Sequence, residues 1–169
     1  MKLSNYWKQA GIPETSKFFD CKKEDLRGDD KYLKMVENIF KWDFKEPAIL
    51  SILSEWNGCG KTHIAVSLLK KHIYGKTQIF KQIEGTAYDI EEHERDFENS
   101  FSKIKFKKEY DIYYEILASY RQNSFQSEES IINDYCDLDF LVIDDMFSSK
   151  ENEFARRVIL TIIDKRVDC

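Results

Sequence analysis

Apolar residues recur along this chain in two rhythms, one helical and one extended. In DDKYLKMVENIFKW, residues 29–42, they fall at Leu33, Val36, Ile39 and Phe40. That spacing of three to four puts them on one helical face. Asp29 or Asp30 supplies a capping carboxylate at the start. KTHIAVSLLKKHIY, residues 61–74, repeats the rhythm with Ile64, Ala65, Leu68, Leu69 and Ile73 inward, and Gly75 predicts its end. EYDIYYEILASYRQ, residues 109–122, clusters Ile112, Tyr113, Ile116, Leu117 and Tyr120 in the same way. NSFQ breaks that helix, and Ser127 caps another through EESIINDYC, with Glu128 and Glu129 favourably placed in its first turn. ENEFARRVILTIIDKR, residues 151–166, reads as a final helix.

Three segments lack helical spacing. AILSIL, residues 48–53, comes after Pro47 and suits a short buried strand. KIKFKK, residues 103–108, alternates as a strand with one solvated face does. LDFLVIDDM, residues 138–146, has four consecutive apolar residues, Phe140 to Ile143, as in a central parallel strand. The acidic stretch within 76–101 reads as an insertion or as a loop with a strand at Thr77–Ile83. Strands alternating with helices predict an α/β fold, a parallel sheet flanked by helices. Residues 1–46 form a lead-in and helix, and residues 47–169 the main body.

Composition narrows this picture without redirecting it. At 42% apolar and 34% charged residues, the 169-residue chain is too apolar for disorder and long enough for a core. No apolar run approaches ~18 residues, so no membrane span and no membrane partner are expected. The N-terminus, MKLSNYWKQAG, lacks the apolar centre of a secretory signal, which implies the cytoplasm. A net charge of −5 argues against a surface that is basic everywhere. Lys103, Lys105, Lys107 and Lys108 still form a local strip with the make-up to touch nucleic acid; they also suit the solvated edge of a strand, which the sequence favours. Cys21, Cys59, Cys136 and Cys169 show no metal-ligand spacing with the three histidines and read as packing residues, Cys59 also as a candidate reactive thiol.

The chemistry concentrates in SEWNGCGKTH, residues 54–63. Glycines at 58 and 60 let successive backbone N–H groups turn onto phosphate oxygens, and the adjoining helix adds its N-terminal N–H groups and dipole. Lys61 reaches the outer phosphates as a point charge, and the Thr62 hydroxyl ligates Mg²⁺. Asn57, Cys59 and His63 complete the loop that would bind ATP or ADP. The second half of such a site is an acid ending a buried strand. Asp144 fits as the metal-side carboxylate and Asp145 stands at the water-activating position. Glu55 occupies the place of a first glycine; close to a triphosphate it would be repelled by roughly 1 kcal/mol, so binding is expected to be retained but weakened.

With both halves placed, the chain resembles the AAA+ core of the DnaC/DnaI-type replicative helicase loaders, which are similar to the IstB transposition ATPases. AGIP at 10–13, NGCGKTHIA at 57–65, LDFLVIDDM at 138–146 and IIDKR at 162–166 carry the resemblance, with EYDIYYEILASYRQ between the two motifs. It implies a P-loop NTPase fold of AAA+ type, with Gly58, Gly60, Lys61 and Thr62 on phosphate and Mg²⁺. It also implies Asp144 on the metal, Asp145 as catalytic acid, and the lead-in around Ile12 and Pro13 near the adenine. The implied partners are a replicative DNA helicase, single-stranded DNA and further copies of the same core. The family continues past the position of Cys169 into a phosphate-sensing strand, an arginine finger and a lid. The expectation is therefore a C-terminally truncated core whose own turnover is slow, because finger arginines contribute ~10³–10⁵ in rate in related systems. A non-catalytic nucleotide-binding or protein-interaction module is the alternative, and a small-molecule kinase ranks last because no arginine-rich lid is evident.

Overall fold

A computed structural model describes residues 3–14, 22–43, 49–54, 58–81, 99–121, 126–147 and 153–168. The chain divides into two compact units, Met1–Ser102 and Lys103–Cys169.

The first unit is helical among its described residues. Helix α1 spans Leu3–Gln9, a short 3-10 turn spans Lys23–Asp25, α2 spans Asp30–Phe40 and α3 spans Lys61–Lys81. The Asp29 side chain caps α2 by accepting from the Tyr32 N–H at 2.8 Å. Of the four residues expected inward on α2, Val36 is buried and Ile39 and Phe40 pack beside it, whereas Leu33 is exposed. Val36 meets Leu26, Ile64 and Leu68 in one apolar cluster. A second contact joins α1 to the rest, with the Tyr6 ring stacked on Phe101 at 4.2 Å between centroids. The Lys71 ammonium donates to the carbonyls of Phe40 and Trp42, satisfying acceptors left open at the end of α2.

Helix α3 corrects two expectations. It runs straight through Gly75, and Thr77 to Lys81 are helical rather than extended; residues 82 and 83 lie outside the described residues. A Cβ at Gly75 would meet nothing within 4 Å, so no close contact calls for a stop there. The intrinsic cost of one interior glycine, about 1 kcal/mol, is too small to end a helix whose preceding turns bury Ile64, Val66, Leu68, Leu69 and Ile73. A third correction concerns AILSIL. Residues 49–53 form no strand, and Ile49, Leu50 and Leu53 are exposed, Leu53 at 88%. Among the described residues no neighbouring strand supplies ladder partners there, and an apolar run without partners does not become a sheet strand.

The second unit holds a two-stranded parallel sheet flanked by helices. Strand β1 spans Ile104–Lys108 and leads directly into α4, Glu109–Ser119. Helix α5, Glu128–Cys136, begins at Ser127, whose hydroxyl accepts from the Ser130 N–H at 3.1 Å. Strand β2, Phe140–Asp144, then pairs with β1 in parallel, from Ile104 opposite Phe140 to Lys108 opposite Asp144. Helix α6, Glu153–Val167, closes the unit. Parallel pairing needs a long crossover, which α4 and α5 provide. Ile112 and Ile116 of α4, Ile131, Ile132 and Tyr135 of α5, and Val158, Ile159 and Ile162 of α6 make one core, against which Leu141 and Ile143 pack. The Arg166 guanidinium ties α6 to the end of α5 through the carbonyls of Tyr135, Cys136 and Leu138, the last at 2.6 Å.

Two details depart from the pattern-based expectation. Leu117 and Tyr120, expected inward on α4, are exposed. Strand β2 is half-buried throughout rather than enclosed, because among the described residues it pairs on one edge alone. The alternation of β1 holds through Lys107: Ile104 and Phe106 are buried, Lys105 and Lys107 take the other face, and Lys108 ends the strand exposed.

Candidate functional site

The loop residues Gly58 to His63 stand together at the start of α3 in the first unit; Asn57 and Glu55 lie outside the described residues. Gly58 and Gly60 both adopt left-handed backbone, with φ of 79° and 89°. L-residues with a side chain rarely sit there, so the two glycines give this turn a shape that other residues resist. Helix α3 begins at Lys61, and the Gly60 carbonyl accepts from the Ile64 N–H at 2.9 Å to close its first turn. The early N–H groups of α3 are those without helical acceptors, which gives this end the character of an anion site.

The side chains around the turn are specifically held. The Lys61 ammonium lies 3.6 Å from the Cys59 sulfur. A hydrogen bond from Ser54 draws the Cys59 thiol below its ordinary value; the Lys61 ammonium adds to the effect, and partial burial opposes it. Thr62 is half-buried. His63 Nε2 is 2.6 Å from the Lys22 carbonyl, an acceptor only, so Nε2 carries the proton and donates. Sequence reasoning missed Tyr32, whose hydroxyl donates to the Cys59 carbonyl at 3.3 Å. The available signal was its position four residues before Val36, on the same side of α2.

The acidic pair lies at the carboxyl end of β2 in the second unit. Asp144 is the last strand residue and half-buried. Asp145 leaves the strand in left-handed backbone, φ 56°, and Phe147 repeats that conformation at 59°. Two groups missed as partners fix this turn. The Lys108 ammonium, at the tip of the neighbouring strand, contacts the Asp145 carboxylate at 2.8 Å. Buried Glu109 accepts from the Phe147 N–H. The hydrogen bond to Asp145 raises Lys108 above the ordinary lysine value, helped by the charges of Asp145, Asp144 and Asp111. Lys107 pairs with Glu115, so Lys107 and Lys108 of the strip at 103–108 are both engaged in ion pairs. Lys105, by contrast, is lowered by burial and by the Lys107 charge.

Each unit therefore holds one defined turn: the first a glycine turn with a cation ahead of a helix, the second an acid pair braced by a lysine and a buried glutamate. No protein-family model, curated protein or solved structure matches the chain.

Proposed function

We propose that the chain binds ATP or ADP with Mg²⁺ through residues 57–63, as a P-loop protein of the AAA+ helicase-loader type. The observation that carries this reading is the pair of left-handed glycines, 58 and 60, directly ahead of Lys61 and Thr62 at a helix start. In this reading Lys61 neutralises the outer phosphates and the Thr62 hydroxyl takes the metal. The partners are a replicative DNA helicase, single-stranded DNA and other copies of the chain. A second reading, binding without turnover, is favoured by one contact: the Lys108 ammonium already engages the carboxylate assigned to activate water.

Titration of labelled ATP, with and without Mg²⁺, tests the proposal. Lys61→Ala removes a charge-assisted phosphate contact and is expected to weaken binding about 10- to 100-fold. Equal affinity in wild type and variant would end the nucleotide reading. A loader additionally requires nucleotide-dependent association with a hexameric helicase, whereas a binding module associates regardless of nucleotide.

A further inference from the structure

We infer that Tyr32 is a positioning residue of the phosphate loop, its hydroxyl holding the Cys59 carbonyl so that the Gly60 N–H faces a bound phosphate. This rests on the nucleotide reading above and adds to it a residue from helix α2. The chain has no cis peptide bond among its described residues, and in a trans peptide the carbonyl and the next N–H point in opposite directions. The Tyr32 hydroxyl binds the Cys59 carbonyl at 3.3 Å, so that carbonyl is turned toward α2. The Gly60 N–H, on the same peptide, is turned away from α2.

Three further observations show the ring held for this task. The Tyr32 N–H is fixed by the Asp29 cap at 2.8 Å. Gly28 leaves room for the ring, since a Cβ there would stand 2.3 Å from Tyr32 Cδ1. Gly60 rests against the hydroxyl itself: a Cβ on it would lie 2.9 Å from Tyr32 Oη and 3.3 Å from Leu26 Cδ2. Burial raises the phenol above its ordinary value, with the Cys59 charge adding to it, so the group stays protonated and remains a donor at neutral pH. The bond from His63 to the Lys22 carbonyl separately ties the start of α3 to the residue ahead of the 3-10 turn.

The test uses Tyr32→Phe, which keeps the ring and removes the hydroxyl, beside wild type and Lys61→Ala. Mg²⁺–ATP and Mg²⁺–tripolyphosphate are titrated against each, and the ligand-free chains are melted. Tyr32→Phe is expected to weaken both ligands about three- to tenfold and by the same factor, because the contact concerns phosphate rather than base. The ligand-free melting temperature should stay within about 2 °C, so that the lost affinity does not come from partial unfolding. Wild-type affinity in Tyr32→Phe, with Lys61→Ala impaired, overturns the role of Tyr32 alone. Loss of affinity for ATP but not tripolyphosphate, or only in step with a lowered melting temperature, also overturns it. Failure of wild type to bind ATP overturns the nucleotide reading and this inference together.

Discussion

Residues 49–53 and strand β2 are similar stretches of sequence with different fates. Both are short, largely apolar and placed just ahead of the residues assigned to chemistry. Phe140 to Ile143 lie in register with β1, and Leu141 and Ile143 pack on a core of three helices. In 49–53 Ile52 alone joins a core cluster, while Ile49 and Leu50 border a shallow hollow of about 160 Å³ with Ile39 and Trp42. Hydrophobicity is common to both; among the described residues a strand neighbour for the backbone is not. A strand is a property of a pair, because each extended segment leaves donors and acceptors that only a neighbour satisfies. The turns after the two stretches differ too. Left-handed glycines shape the one at 58–60, whereas Asp145 and Phe147 hold left-handed backbone with full side chains, braced by Lys108 and Glu109.

Substitutions can break this contrast, and the largest effect belongs to the partnered region. Ile162→Ala, at a fully buried site in the core on which β2 packs, should cost about 2–5 kcal/mol in urea unfolding. Leu53→Ala, in the unpartnered run, should stay within about 0.5 kcal/mol; a comparable loss at both positions would mean that 49–53 is packed after all. Glu109→Ala comes next. It removes the acceptor of the Phe147 N–H and should destabilise the second unit by about 1–3 kcal/mol, with faster amide exchange at Phe147. Unchanged exchange there would show that the turn after β2 holds itself.

The smallest effect is at Lys108, where both members of the ion pair are about half exposed. Lys108→Met should cost about 0.2–1 kcal/mol at low salt and less in 1 M salt. The raised lysine value fixes the sign with pH. The stabilisation is complete below the ordinary lysine range, about 10.4, and is lost as pH rises through the higher folded value. A difference between wild type and Lys108→Met that persists unchanged above that range would contradict the pairing.

Much of the local structure was legible because its causes are local. The Asp29 and Ser127 caps, the face of α2 around Val36 and the alternation in β1 arise from residues a few positions apart. The glycine turn and the helix behind it were equally legible, since Gly58 and Gly60 permit φ near +80° to +90° and the apolar spacing from Ile64 onward marks a helix. Gly75 misled because its intrinsic cost is outweighed by burial on α3, and Leu117 and Tyr120 misled because a helical face does not say how wide its cover is. The phosphate-loop assignment itself rests on the residues, and the geometry of the turn is compatible with it.

The sequence alone determined where α2 to α5 begin, the glycine turn at 58–60, and which cation and acids stand at element ends, because these depend on backbone sterics and near neighbours. Only the tertiary structure decided that 140–144 is a strand and 49–53 is not, and that Lys108 meets Asp145, Glu109 meets the Phe147 N–H and Tyr32 meets the Cys59 carbonyl. Those outcomes depend on groups far apart in the chain, and the preference of either partner taken singly does not encode the meeting.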